Sequence, residues 1–120
     1  MKSRVLVIED DAINLELIKE MLSRFDCEVH TAKNGMEGVR MALEGEFDLI
    51  FCDLHMPEMD GFEATLAMRE GKLTVPIVAL TANVITGIQD RCRQVGMTDY
   101  MAKPIELQDV KGILDKYLEG

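Results

Sequence analysis

Three carboxylates follow apolar segments of this 120-residue chain, where an acidic side chain is costly unless something pairs with it or uses it. Asp53 closes the apolar run 47–52, and Glu9 and Asp10 follow the apolar run 5–8. If the fold brings these three carboxylates within a few ångströms of one another, each close pair repels by a few kcal/mol at an effective dielectric constant of about 20. A divalent cation relieves this repulsion, and a site with only oxygen ligands favours Mg²⁺.

A hydroxyl and an amine occupy corresponding positions after two further apolar segments. Thr81 follows the run 76–80, and Lys103 follows the short segment 100–102. A metal ion and a lysine together neutralise phosphoryl oxygens, as catalysis of phosphoryl transfer requires. Asp53 is the candidate nucleophile, because carboxylates form aspartyl-phosphate intermediates.

Strand-like segments alternate with helical patterns along the whole chain. The first, third and fourth segments are nearly continuous in apolar residues, as expected of parallel strands covered on both faces. Five strands alternating with five helices predict an α/β fold with a parallel sheet and right-handed crossovers. Ligands bind such a sheet outside the carboxyl ends of its strands, where the candidate residues fall. The predicted strands are 4–8, 27–31, 47–52, 76–80 and 98–102.

Each helical pattern carries an apolar stripe that predicts which of its faces is buried. Asp11 and Asn34 are the predicted N-caps of the first two helices. The five patterns cover 12–25, 35–44, 58–70, a segment around 85–95, and 107–117. Their stripes are Ile13, Leu17, Met21, Leu22 and Phe25; Met36, Val39, Ala42 and Leu43; Phe62 and Leu66; Ile85, Ile88, Cys92 and Val95; and Leu107, Val110, Ile113, Leu114 and Tyr117.

The bulk composition predicts one globular domain spanning residues 1–120. The net charge of -9 argues against a surface that binds nucleic acid, since phosphate backbones attract the opposite charge. Three cysteines without close spacing favour reduced thiols and a cytoplasmic location. The sequence contains no long apolar helix or signal peptide, so we expect neither secretion nor membrane insertion.

At this point the chain resembles a receiver domain, the phospho-acceptor module of two-component response regulators and hybrid histidine kinases. The resemblance spans essentially the whole chain, and its motif style is most similar to the receivers of hybrid histidine kinases. It implies a three-layer, flavodoxin-like fold of five βα units with strand order 2-1-3-4-5. The segments that carry the resemblance are VLVIEDDAIN, FDLIFCDLHMPEMDGFEA, VPIVALTAN and GMTDYMAKPI, in the family's order.

The resemblance assigns roles to the acidic residues. It implies that Asp53 accepts a phosphoryl group from a histidine kinase or a histidine phosphotransfer protein. Glu9 and Asp10 resemble the acidic pair that holds Mg²⁺, with Asp10 as the direct ligand and Glu9 often acting through water. The backbone carbonyl of His55 would supply another ligand to the metal.

The resemblance also implies a switch. Thr81 resembles the hydroxyl that turns toward the phosphoryl group, and Tyr100 resembles the aromatic residue that changes rotamer with it. Lys103 resembles the lysine that bonds a phosphoryl oxygen, and a cis peptide bond is implied between Lys103 and Pro104. Phosphorylation would then alter the face built by the fourth helix, the fifth strand and the fifth helix, which could also mediate a homodimer.

Simpler interpretations of the same residues stay open. The acidic run that ends at Asp11 could cap the first helix, and Thr81 could be an ordinary N-cap. Tyr100 could be a half-buried strand aromatic, and Lys103 a solvated surface lysine. The imidazole of His55 could bind a metal, although Mg²⁺ prefers oxygen.

Other functions compete with that of a phospho-acceptor, which would not be a turnover enzyme. A phosphatase with a phospho-aspartate intermediate would carry a second acid two residues after Asp53, where this chain has His55. A flavodoxin that binds FMN would need phosphate-binding amides after the first strand, where the acids would repel phosphate. A receiver-like scaffold independent of phosphorylation is a further alternative. The chain ends soon after the fifth helix, so we expect no output domain in it.

Overall fold

The computed structural model describes residues 2–83 and 87–118. Its five strands form one parallel sheet in the order β2-β1-β3-β4-β5, which confirms the order implied by the resemblance. Predicted and observed strands differ by one or two residues at their ends. The strands are β1 (Ser3–Ile8), β2 (Cys27–Ala32), β3 (Leu49–Asp53), β4 (Ile77–Thr81) and β5 (Asp99–Ala102).

Five helices connect the strands and extend beyond β5. Asp11 and Asn34 cap the first two helices, as predicted, through side-chain oxygens that accept backbone N–H groups. The predicted start of the third helix at 58 is wrong, because Asp60 and Glu63 form a capping box that begins it at Gly61. The helices are α1 (Ala12–Ser23), α2 (Gly35–Glu44), α3 (Gly61–Glu70), α4 (Ile88–Val95) and α5 (Leu107–Tyr117).

The sheet is the middle of three layers. Alternate residues of each strand point to opposite faces, so every inner strand contributes to two separate cores. One core packs the sheet against α2, α3 and α4, and the other packs it against α1 and α5. The first contains Leu6, Ile8, Ala42, Ile50, Cys52, Ala64, Met68, Ile77, Ala79, Ile88 and Cys92. The second contains Val5, Val7, Leu15, Ile18, Leu22, Leu49, Phe51, Val78, Leu80, Val110, Ile113 and Leu114.

The predicted buried stripe of α1 is correct only in its second half. Leu22 is buried and Met21 and Phe25 pack against the same core, whereas Ile13 is 81% exposed and Leu17 is also exposed. The first half of α1 instead buries Leu15 and Ile18. Both pairs are apolar and both have helical spacing, so periodicity alone does not decide which of them faces the sheet.

The other predicted stripes are partly correct. The fourth includes Ile85, which lies outside the described residues, whereas Ile88 and Cys92 are buried as predicted. In α2 the two buried glycines mark the face that packs, since Gly38 approaches Ile8 of β1 and Gly35 approaches Met59 in the loop after β3. Four further predicted core residues are exposed, namely Met36, Leu43, Leu66 and Leu107.

None of the helices within residues 2–83 and 87–118 combines the length and the apolar character needed to cross a membrane.

Candidate functional site

The register of the sheet brings the candidate residues to one edge. Ile8 pairs with Cys52, and Asp53 pairs with Leu80, so β1, β3 and β4 end side by side. Glu9 follows β1 directly and remains in the sheet's hydrogen-bond network, since its N–H donates to the Ala32 carbonyl of β2 at 3.1 Å. The polar side chains therefore converge at the carboxyl ends of the strands, as predicted from the sequence.

Three carboxylates form a cluster at this edge. Glu9, Asp10 and Asp53 each offer an oxygen that lies within 4.8 Å of those of the other two. Glu9 is fully buried and Asp53 is only 3% exposed, whereas Asp10 is exposed to solvent. Two of the three charges are thus removed from bulk water, which makes their mutual repulsion strong.

Lys103 supplies the compensating positive charge. Its Nζ donates to Glu9 Oε1 at 2.8 Å and lies 3.3 Å from Asp53 Oδ1. Burial opposes the charge on Lys103, but the hydrogen bond to Glu9 and the charge of Asp53 outweigh this effect and raise its pKa. The alternative of a solvated surface lysine is therefore wrong, because both carboxylates hold the ammonium group at the site.

Glu9 is nevertheless incompletely satisfied. Its Oε2 is buried and has no hydrogen-bond partner within the described part of the chain. Burial and the neighbouring Asp53 raise the pKa of Glu9 to about 8, although Lys103 acts in the opposite direction. A second positive charge on this oxygen would remove the cost of leaving it buried and unpaired.

The residues present fit a divalent cation with oxygen ligands. The cluster combines an orphaned buried carboxylate oxygen, a second buried carboxylate and an exposed third one that solvent can reach. Mg²⁺ commonly binds through one or two carboxylates while keeping several waters, which suits a site open on the side of Asp10.

Thr81 closes a local turn in the structure. Its buried hydroxyl donates to the Asn83 carbonyl at 3.0 Å and accepts the Asn83 N–H at 3.1 Å. Tyr100 lies in the edge strand β5, is half-buried and packs against the core beneath α4. Thr81 ends the strand next to Asp53, one residue past Leu80, the register partner of Asp53, whereas Tyr100 lies one strand further out.

His55 is exposed, and its backbone N–H donates to Asp53 Oδ1 at 3.2 Å. This bond orients the Asp53 carboxylate from the start of the loop after β3. A role for the His55 carbonyl as a metal ligand stays a prediction. The Lys103–Pro104 peptide bond is cis, as the resemblance implied.

The resemblance implies that Asp60 and Gly61 shape the loop below the site, but not how closely Gly61 packs on the backbone of Asp53. A Cβ at this position would lie 2.4 Å from the Asp53 carbonyl oxygen and 2.9 Å from Leu54 Cα. The Gly61 N–H donates to the Leu54 carbonyl at 3.1 Å. The first turn of α3 is therefore packed directly on the backbone that carries Asp53, which only glycine permits. The Asp-Gly pair after the loop was the available sequence signal.

A family model described as the response regulator receiver domain matches residues 5–115. A hybrid signal transduction histidine kinase G of Dictyostelium discoideum is 39% identical over 119 residues, which cover 95% of this chain but 4% of that protein. The chain spans only 4% to 16% of the length of the curated histidine kinases that it matches here.

Two solved structures are similar over nearly the whole chain. The receiver domain of sensor histidine kinase PA1611 from Pseudomonas aeruginosa, with a magnesium ion in its active-site cleft, has a TM-score of 0.90 and 34% identity and covers 100% of both chains. The Saccharomyces cerevisiae Ssk1 receiver domain, crystallised with the histidine phosphotransfer protein Ypd1, has a TM-score of 0.88 and 31% identity, covering 97% of this chain and 88% of that one.

Proposed function

This chain belongs to the response regulator receiver domain family, and on that premise we propose that Asp53 accepts a phosphoryl group in a two-component phosphorelay. The observation that carries the proposal is the position of Lys103, whose ammonium group lies 2.8 Å from Glu9 and 3.3 Å from Asp53. A single cation held between two buried carboxylates is placed to move onto a phosphoryl oxygen when one arrives at Asp53.

The chemistry assigned to Asp53 is nucleophilic. A carboxylate oxygen of Asp53 attacks the phosphorus of a phosphohistidine, the phosphorus–nitrogen bond breaks, and its electron pair returns to the imidazole nitrogen of the donor. The His55 N–H donates a hydrogen bond to Asp53 Oδ1 and so fixes the orientation of the carboxylate. Lys103 then exchanges one carboxylate partner for an oxygen of the transferred group, so its charge stays paired throughout.

Glu9, Asp10 and Asp53 would hold Mg²⁺, together with the backbone carbonyl of His55. When bound, the metal neutralises the charge that gathers on the phosphoryl oxygens. The orphaned oxygen of Glu9 supports this assignment, and so does the magnesium ion named for the similar Pseudomonas aeruginosa receiver.

The output of the domain would be a shift between two conformations. A phosphoryl group on Asp53 would offer the Thr81 hydroxyl a new acceptor in place of the Asn83 carbonyl. Tyr100 would change its rotamer with Thr81 and so alter the face formed by α4, β5 and α5. New contacts made in only one state are what moves such an equilibrium. Self-association through this face stays a prediction.

The partner would be a histidine kinase or a histidine phosphotransfer protein. Ile13 (81% exposed) and Leu17 lie on the outer side of α1, which begins next to the carboxylate cluster. A small cavity next to Leu17 is also lined by Lys103 and Pro104 of the site. The crystallised complex of the yeast relative with a phosphotransfer protein supports this class of partner. The cytoplasm is the location proposed for the reaction.

The proposal is tested by incubation with acetyl phosphate and Mg²⁺, followed by intact-mass measurement and peptide mapping. We expect one added phosphoryl group on Asp53, none on Asp53→Asn, and unchanged labelling of the control Asp115→Asn. With a phosphotransfer protein as donor, Ile13→Asp should slow labelling, whereas its labelling by acetyl phosphate should equal that of the parent.

Two results would contradict the proposed function. Labelling of Asp53→Asn equal to that of the parent would place the acceptor elsewhere. Steady turnover of a generic phosphate ester would favour the phosphatase alternative, and an absence of labelling under all conditions would favour the scaffold.

A further inference from the structure

Arg69 fixes the carboxyl end of α4. Its Nε and Nη2 donate to the Gly96 carbonyl at 3.0 and 2.7 Å, and its Nη1 donates to the carbonyls of Leu73 and Val75 at 2.9 and 2.8 Å. All three acceptors are backbone groups, so one guanidinium joins the end of α3, the segment before β4 and the residue that ends α4. A hydrogen bond to a charged donor is stronger than a neutral one, which makes this a firm anchor.

Gly96 terminates α4 in a backbone conformation that favours glycine. It ends α4 with φ of 101°, a left-handed conformation that glycine adopts without strain. Just beyond it, the Met97 N–H donates to the Cys92 carbonyl at 2.9 Å and the Thr98 N–H donates to the Ile77 carbonyl at 2.8 Å. The chain after α4 is thus tied to β4, and the helix itself is held in part by Ile88 and Cys92, which are buried in the core.

The amino-terminal half of α4 is held differently. Gly87, its N-cap residue, offers no side-chain hydrogen bond to the first turn. The guanidinium of Arg91 lies 4.0 Å from the centroid of the Phe62 ring of α3, within the range of a cation–π interaction. Within residues 2–83 and 87–118 Arg91 forms no salt bridge, whereas Arg93 on the same helix lies 3.8 Å from Asp90.

The Phe62 ring is held in a fixed position by its surroundings. It is 5% exposed and directly follows Gly61, which packs on the backbone of Asp53. The ring that receives Arg91 is consequently fixed by the same turn of α3 that abuts the site.

We propose that Arg91 is a positioning residue that latches the amino-terminal half of α4 onto α3, with the anchored Gly96 as the pivot about which α4 swings when the latch opens. The latch goes beyond the proposed function, because it exists in the protein without a phosphoryl group and can be measured there. Besides its buried Ile88 and Cys92, α4 then has an attachment at Gly96 through Arg69 and a surface attachment at Arg91 through Phe62.

Native-state hydrogen exchange of the unphosphorylated protein tests the latch. The informative amides are that of residue 91, which donates to Gly87 O, and that of Met97, which donates to Cys92 O. Arg91→Gln should exchange about two- to fivefold faster at residue 91, after correction for intrinsic rates, with Met97 unchanged. Arg93→Gln removes the same charge from the same helix and serves as the matched control, with no such acceleration.

The pivot and the pairing need two further variants. Arg69→Gln should accelerate exchange at Met97 relative to residue 91, the reverse of the Arg91→Gln pattern. Phe62→Leu should reproduce the Arg91→Gln effect, and the double variant should exchange no faster at residue 91 than Phe62→Leu alone. Equal exchange in Arg91→Gln and Arg93→Gln, or additive effects in the double variant, would overturn the proposal.

Discussion

The pH dependence of stability should reveal the buried carboxyl of Glu9. Burial and the neighbouring Asp53 raise the pKa of Glu9 to about 8, compared with 4.5 for an unperturbed glutamate. The unfolded chain releases this proton near pH 4.5, whereas the folded chain holds it until about pH 8. Because the folded state binds the extra proton between these values, its free energy of unfolding must fall as the pH rises through that window.

The size of the effect follows from the shift. Each pKa unit corresponds to about 1.4 kcal/mol, so the metal-free protein should lose roughly 4 kcal/mol of stability by pH 8. That is a large share of the roughly 5–15 kcal/mol that stabilises a typical domain. Lys103 does not alter the slope in this window, since its raised pKa stabilises the fold fully below the ordinary value of 10.5 and loses that effect only above it.

Urea denaturation between about pH 5 and pH 8 measures this slope in the presence of a chelator. The parent should lose stability as the pH rises, and Glu9→Gln should not, because a glutamine has no proton to lose. Glu16→Gln, an exposed position in α1, should behave as the parent. Millimolar MgCl₂ should remove the slope from the parent, since the cation binds the deprotonated carboxylates. Equal slopes for the parent and Glu9→Gln in the chelated protein would refute the reasoning.

Two further predictions concern stability away from the site. Gly112→Ala in the middle of α5 should raise the thermal midpoint by about 4 °C, since an added Cβ meets nothing within 4 Å and alanine favours a helix by about 1 kcal/mol. Gly38→Ala in α2 should lower the thermal midpoint, because its Cβ would lie 2.5 Å from Ile8 Cδ1 of the core. Calorimetry measures both variants, and shifts of similar sign and size in the two would contradict this account. Burial opposes the ionisation of Asp99, but hydrogen bonds from Tyr117 and neighbouring donors outweigh it and lower its pKa. Asp99→Asn should therefore be less stable than the parent at neutral pH in urea denaturation, with a difference that disappears as the pH falls through the lowered pKa, and a constant difference would count against the idea.

The fold was largely predictable because each strand and helix has a strong local pattern. The runs that became β1, β3 and β4 are nearly all apolar, and the Asp11 and Asn34 caps mark two helix starts clearly. The strand order came from the resemblance, since periodicity does not specify which parallel strands are neighbours. The buried face in the first half of α1 does not follow from the sequence, because Ile13 and Leu17 alternate with Leu15 and Ile18 and only tertiary packing selects the second pair.

The site was predictable in its residue types and only partly in its contacts. Alignment of strand ends at one edge of a parallel sheet was enough to bring Glu9 and Asp53 together. Lys103 lies closer to Glu9 than to Asp53, and the second oxygen of Glu9 has no partner in the described part of the chain. Both details depend on side-chain lengths and rotamers in the packed structure. The Arg91–Phe62 contact had no sequence signal, because its partners come from different helices at positions that periodicity treats as independent.

The turn closed by the Thr81 hydroxyl has a consequence for signal fidelity. In a receiver that works as proposed, the hydroxyl must abandon two hydrogen bonds to Asn83 before it can report on Asp53. At a net value of about 1 kcal/mol each, these bonds would hold spontaneous departures of the hydroxyl to a few per cent of molecules. If Thr81 works as proposed, these bonds would keep false signals from the unphosphorylated domain rare, and a Ser at this position would retain the same restraint.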